Sequence, residues 1–267
     1  MKRNIIPILA TAMVLFFTFN SCSKKENQDT LPELPPVDAL SMDFSQFIDN
    51  PAQAPAMKSE ESYVNALYSY VTVALWNGVV AVNMIVPVAA YLACLDQTPV
   101  YLGDNSWQWS ATWGGAVSYS ARLVTTRISN EEFNAEMYIS KTGSYTDFKW
   151  FEGTVRYDRT HAEWTMYESP LNNTPWLNIE WNMDWEQGLS DITYTIVQNG
   201  EEYGSYITFG ITDDPDYDAF YTISYSQKET AIKWNLSTKN GRVMDEVNFG
   251  DADWHCWDEL LLDVQCD

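Results

Sequence analysis

Two histidines, four cysteines and a surplus of acids are the side chains with which this chain could do chemistry. His161 stands between Arg159-Thr160 and Ala162-Glu163, with no Ser or Cys nucleophile in a recognisable frame. His255 lies in Asp253-Trp254-His255-Cys256-Trp257-Asp258. A base beside a thiol and two acids is formally a site, but a packed C-terminal strand accounts for it more simply. No GxSxG, HExxH, P-loop or dinucleotide-binding glycine pattern occurs. No catalytic residue is assigned. Glu180 and Asp184, beside Trp181 and Trp185, are the carboxylates to inspect first as a glycosidase-type pair. On one face of a strand they stand ~13 Å apart, at about 3.3 Å per residue. That is too far for a retaining pair unless the strand bends.

The acid-rich turn Asp213-Asp214-Pro215-Asp216-Tyr217-Asp218 is the metal candidate. Ca²⁺ takes several oxygens from a flexible loop, so Asp213, Asp214, Asp216 and Asp218 are its possible ligands. The central Gly and distal Glu of an EF-hand are missing, and a solvated hairpin turn is the simpler reading. No other cofactor is implied. Among the cysteines, Cys22 follows an apolar run and stands apart, leaving Cys94, Cys256 and Cys266. Three thiols allow one bridge and one leftover. Cys256–Cys266 would close a short C-terminal loop; either could instead pair with Cys94. No Cys/His spacing suits structural zinc.

The N-terminus carries an address. Met1-Lys2-Arg3-Asn4 is basic, and Ile5 to Phe19 is almost wholly apolar. That order is an export signal, and the run of about 15 residues is shorter than the roughly 20 of a membrane span. Phe19-Asn20-Ser21-Cys22 resembles the lipobox of bacterial lipoproteins in the looser form of the Bacteroidetes group. Ser21 and Cys22 match; Phe19 stands where Leu is usual and Asn20 where a small residue is usual. The resemblance covers this segment only. It implies that residues 1–21 are a signal peptide and that Cys22 is lipidated, labelling with palmitate. It also implies a lipoprotein of the cell envelope. Ser23 is not the Asp that retains such proteins in the inner membrane, so the implied address is the outer membrane, on its periplasmic or its surface face. Asp29-Thr30-Leu31 resembles a short O-glycosylation motif of secreted proteins of that group, which marks Thr30.

Composition bounds the partners. The chain has 15 Lys+Arg against 37 Asp+Glu, a net charge of −22. Lys2 and Arg3 leave with the signal segment and no acid does, so the mature protein is more acidic still. Such a field argues against nucleic acid and anionic headgroups. Trp 12, Tyr 16 and Phe 11 supply strand formers and core area.

The periodicity divides the chain into a signal peptide (1–21), a lipidated Pro-rich tether (22–57) and a single domain (58–267). Within the domain, 58–96 reads as helix: Tyr63, Val64, Leu67, Tyr68, Val71 and Leu75 follow helical spacing. Ser59 and Glu60-Glu61 suit its start. Beyond Trp76 the polar face fades, which predicts burial on all sides, with Gly78 and Pro87 kinking or dividing the helix; a membrane span is the alternative, against which Asn77, Gly78, Asn83 and Pro87 argue. From residue 105 the period becomes two. Trp107, Trp109, Ala111 and Trp113 alternate with polar residues, as do Phe133 to Ile139, Leu177 to Met183 and Ile232 to Leu236. Short turns such as Asn199-Gly200 and Asn240-Gly241 separate the runs. The expected fold is mainly β: an antiparallel meander of about 10–12 strands, closed into a soluble barrel or strongly curled sheet around a buried N-terminal helix. The expected function is that of a membrane-anchored, non-catalytic binding or scaffold protein. Its partner would be a hydrophobic molecule, a glycan on exposed Trp, or another envelope protein. The alternative is a glycan-acting hydrolase or glycan-binding protein using Trp and paired carboxylates.

Overall fold

A computed structural model describes residues 30–42, 62–226 and 228–266. The signal segment, Cys22 and the Ser59–Glu61 helix start lie outside the described residues. Thr30 is the first described position and is exposed.

Among the described residues, one long helix, α1 (Val64–Leu95), is followed by fourteen strands. They are β1 (Val100–Gly103), β2 (Ser106–Gly114), β3 (Ser118–Arg127), β4 (Glu132–Lys141) and β5 (Tyr145–Arg156). Then come β6 (His161–Ser169), β7 (Asn172–Asp184), β8 (Leu189–Ile196), β9 (Tyr206–Ile211) and β10 (Ala219–Tyr225). The series ends with β11 (Lys228–Trp234), β12 (Gly241–Met244), β13 (His255–Trp257) and β14 (Asp263–Val264). A one-turn helix, α2 (Glu246–Phe249), sits between β12 and β13. Each strand pairs antiparallel with the next, so strand order equals chain order. The expected antiparallel meander is present, but with fourteen strands, and it does not close into a barrel. β1 and β14 stay unpaired with one another. Instead α1 packs against β2–β4 at one end of the sheet and β12–β14 at the other. A helix, not a ladder of hydrogen bonds, spans the ends.

Alternation explains the sheet. Leu123, Met137, Phe151, Trp164, Ile179, Ile192, Ile207, Tyr221 and Ile232 point to one buried face. Ser, Thr, Asn and Glu point to the other. Two tryptophans break the period. In β5 the register shifts between Met137↔Phe151 and Tyr138↔Lys149, leaving Trp150 as the extra residue of a bulge. In β7 Trp176 does the same between Met166↔Leu177 and Tyr167↔Pro175.

Two expectations are corrected. First, α1 is not buried all round. Val73, Trp76, Val80, Met84, Tyr91 and Cys94 enter the core, while Val71, Leu75, Val82 and Ile85 are exposed. It runs unbroken through Gly78 and Pro87, and by length and composition it could cross a membrane. Its start is capped from far away: the Asp263 carboxylate accepts from Val64 N at 3.1 Å and Asn65 N at 2.9 Å. That carboxylate satisfies two amide groups that a helix leaves open at its positive end. Second, part of the stretch read as tether is core. Residues 30–42 hold a single 3₁₀ turn, Val37–Ala39, and bury Ala39, Leu40 and Met42. Trp164 Nε1 donates to Ala39 O at 2.8 Å, and Tyr91 Oη to Pro35 O at 2.7 Å. Arg159 pairs with Glu33 at 2.8 Å. Proline-rich backbone lacks amide donors, so its carbonyls can be matched by side chains of the sheet.

Candidate functional site

The inner face of the sheet is filled. Phe209, Tyr221 and Trp234 stack in one group, with centroids 5.0–6.0 Å apart. Phe151 and Trp164 meet edge to face at 5.4 Å, beside Tyr91 of α1. With α1 and residues 31–42, these rings form one continuous core.

The candidate chemical residues are mostly engaged in shaping turns and strands. Asp214 Oδ1 accepts from the amides of Asp216 (3.0 Å) and Tyr217 (3.1 Å). Those amides hold its carboxyl below the usual range. Asp218 Oδ1 accepts from Leu236 N at 2.7 Å. Asp214 thus caps its own turn and Asp218 caps the neighbouring β11–β12 turn, and no group of three His, Cys, Asp or Glu that could hold a metal occurs among the described residues. Asp184 accepts from the amides of Glu186 and Gln187 at 2.9 and 3.1 Å, so it caps the β7–β8 turn. Glu180 instead faces Glu163 across the β6–β7 ladder. Both line a polar groove of about 460 Å³ on the outer face. His161 meets Asn182 at 2.7 Å and Glu163 at 3.4 Å. His255 lies on β13, 2.9 Å from Asp251, and stacks on Phe249 at 4.0 Å. Among the described residues, no Ser, Thr or Cys side chain is hydrogen-bonded to either histidine.

Cys256 and Cys266 are bridged, with Cα atoms 5.3 Å apart. Cys94 is the leftover thiol; burial pushes it up to about 11. It is therefore a packed thiol and not a nucleophile.

Two other surfaces have the shape of binding sites, and sequence reasoning missed both. One is an apolar groove of about 390 Å³ between α1 and the ends of β8, β10 and β11. Leu75, Trp76, Val79, Ile196, Ile223 and Tyr225 line it. At its end lies the buried Asp245, which accepts from Tyr68 Oη, from Thr230 Oγ1 at 2.7 Å, and from the Val247 and Asn248 amides at 3.0 and 2.9 Å. Burial works to raise that carboxyl, but the Tyr68, Thr230 and amide donors outweigh it and hold it below the usual range. The acid is fully occupied by structure. The second surface is a hydroxyl-rich groove of about 560 Å³ at the β2–β3 and β4–β5 turns. Trp113 and Tyr119 stack beside it at 5.3 Å, Lys141 Nζ lies 5.4 Å from the Tyr119 ring, and Ser118 meets Thr142 at 2.7 Å. Comparison with protein-family models, curated proteins and solved structures finds no significant match to this chain.

Proposed function

We propose that this protein is a lipid-anchored, non-catalytic binding or scaffold protein of the bacterial cell envelope, outer-membrane by address. The observation that carries the binding reading is the division of labour in the fold. The inner face is filled by its own helix, strap and aromatics, which disfavours carriage of a hydrophobic cargo inside the sheet. The apolar surface of α1 is left outside, where a partner can reach it. Asp184, Asp214, Asp218 and Asp245 are tied to turns and caps and both histidines to neighbouring polar side chains, which supports binding over catalysis. The anchor rests on Cys22. Nine residues lie between it and Pro32, the first buried position among the described residues, a reach of at most about 30 Å.

Metabolic labelling with a palmitate analogue tests the anchor. The wild-type chain should be labelled and sediment with membranes, and Cys22→Ser should be neither. A Cys22→Ser protein that still labels would overturn it.

A second reading has its own observation. The Trp113–Tyr119 stack beside Ser118, Ser120 and Ser144 is the combination that recognises a sugar: a flat apolar face with hydroxyl partners. Glycan-array binding lost in Tyr119→Ala would support a glycan-binding surface; an array without signal would remove it.

A further inference from the structure

The face of α1 turned away from the sheet is apolar along its length. Val71, Leu75, Gly78, Val82, Ile85, Ala89 and Leu92 follow one another at alternating steps of four and three residues. That is the heptad seam by which two helices pack. The core-facing residues Val73, Trp76, Val80 and Met84 lie on the other side of the helix, so the chain's own sheet does not account for the seam. Its large members are well exposed: Leu75 68%, Val82 70% and Ile85 65%.

Gly78 sits near the middle of this seam, and among the described residues nothing lies within 4 Å of where its Cβ would be. A glycine inside a helix weakens it relative to alanine, and no described neighbour requires one here. The gap suits the close approach of another helix.

Charge and area point to the occupant. None of the 32 residues of α1 is charged, in a chain with 37 acids and a net −22. Two copies of so acidic a protein repel each other least across this face. A lipid surface is a poorer fit, because neither α1 nor its flanks Ser62-Tyr63 and Asp96-Gln97 carry the basic residues of interfacial helices. Val64, Leu67, Val71, Leu75, Val79, Val82, Ile85 and Leu92 are all exposed along the helix, a strip on the scale of the roughly 800 Å² that one partner of a standard interface buries.

We propose that α1 is a self-association face: a second copy of this chain packs its own α1 along the Val71–Leu92 seam, with Gly78 at the close contact. The proposal deepens the scaffold reading above by naming the partner, and rests on it.

Sedimentation equilibrium of the mature polypeptide from Ser23, unlipidated, tests it from micromolar to hundred-micromolar concentration. The wild-type chain should show twice the monomer mass. Val82→Glu and Ile85→Glu should be monomeric with unchanged thermal transitions, and Gly78→Leu should weaken association at least tenfold. Leu171→Glu, at a fully exposed apolar residue of the β6–β7 turn, should remain dimeric. A wild-type chain that is monomeric throughout overturns the proposal, as does a Val82→Glu protein that still dimerises. A monomer that floats with phosphatidylcholine vesicles, and stops doing so with Val82→Glu, assigns the face to lipid and also overturns it. None of these results alters palmitate labelling at Cys22, so the two readings fail separately.

Discussion

The Met42 amide donates to the Tyr194 hydroxyl at 2.6 Å, a buried bond between residues 152 positions apart. The same hydroxyl donates to Leu40 O at 3.2 Å. One oxygen on β8 thus satisfies both a donor and an acceptor of the 30–42 strap, and with Trp164 it fixes the strap's path.

Tyr194→Phe keeps the ring and removes that oxygen. A buried N–H and a buried C=O then lose their partner, which costs about 1–3 kcal/mol for each unsatisfied group. The expected outcome is a lower urea midpoint with an unchanged m-value. A midpoint equal to wild type would show that the strap is not held here.

The disulfide has a different role. Cys256 lies on β13 and Cys266 just past β14, and these strands carry the groups that receive α1. Asn65 Nδ2 donates to Cys256 O at 2.9 Å, and Asp263 caps the helix. Closing a loop of this length is worth about 3 kcal/mol, so Cys256→Ser with Cys266→Ser should lower the melting temperature measurably. After mild reduction, iodoacetamide should label the half-buried Cys266 first, and not the buried Cys94 until the protein unfolds. Rapid labelling of Cys94 in the folded protein would contradict its burial.

Gly153 tests the packing of the inner face, opposite Trp164. A Cβ there would lie 2.1 Å from Glu163 O and 2.5 Å from the Trp164 ring. Gly153→Ala must push β5 and β6 apart or displace the Trp164 ring, at about 1–3 kcal/mol. The near-ultraviolet circular dichroism of the tryptophans should change with it. An Ala variant as stable as wild type would mean the strands are further apart than described.

Which parts of this were legible in the sequence follows from the range of the forces involved. The alternation of Trp107 to Trp113 and of Phe133 to Ile139 is a local signal of one buried face, and it found those strands. β1, β12 and β14 have four residues or fewer, too short to show a period. Trp150 and Trp176 look like ordinary strand residues until the partner strand exposes the bulge. The Asp263 cap on α1 comes from about 200 positions away, so no window around Val64 contains it. The prolines at 32, 35 and 36 suggested an extended tether, and the chain is indeed non-helical there. What the sequence could not show is that Trp164, Tyr91 and Tyr194 offer it donors and acceptors. The same limit hid the candidate sites: the Asp turn is conspicuous in sequence, but Asp214 is taken up by its own backbone and Asp218 by the Leu236 amide. Asp245 and Tyr68, 177 positions apart, become neighbours only through the fold.

Asp245 also sets an acid limit on the fold. Its folded carboxyl lies below its ordinary value, because the Tyr68, Thr230 and amide donors favour the ionised form more than burial opposes it. A depressed folded pKa means that the unfolded chain binds the proton first. The resulting stability is fully present above the unfolded value, about 4, and is lost as the pH falls through the folded one. In Asp245→Asn the amide cannot accept on both sides, so two of the four donors lose their acceptor and the other two keep only a neutral one. At neutral pH the variant should be less stable by about 1–3 kcal/mol. That gap should narrow as the pH is lowered from about 5 to about 3, because the wild-type carboxyl is being protonated and the amide is not. Urea midpoints of both proteins across that range measure it directly. A gap that stays constant with pH would show that Asp245 acts through shape and not through its charge.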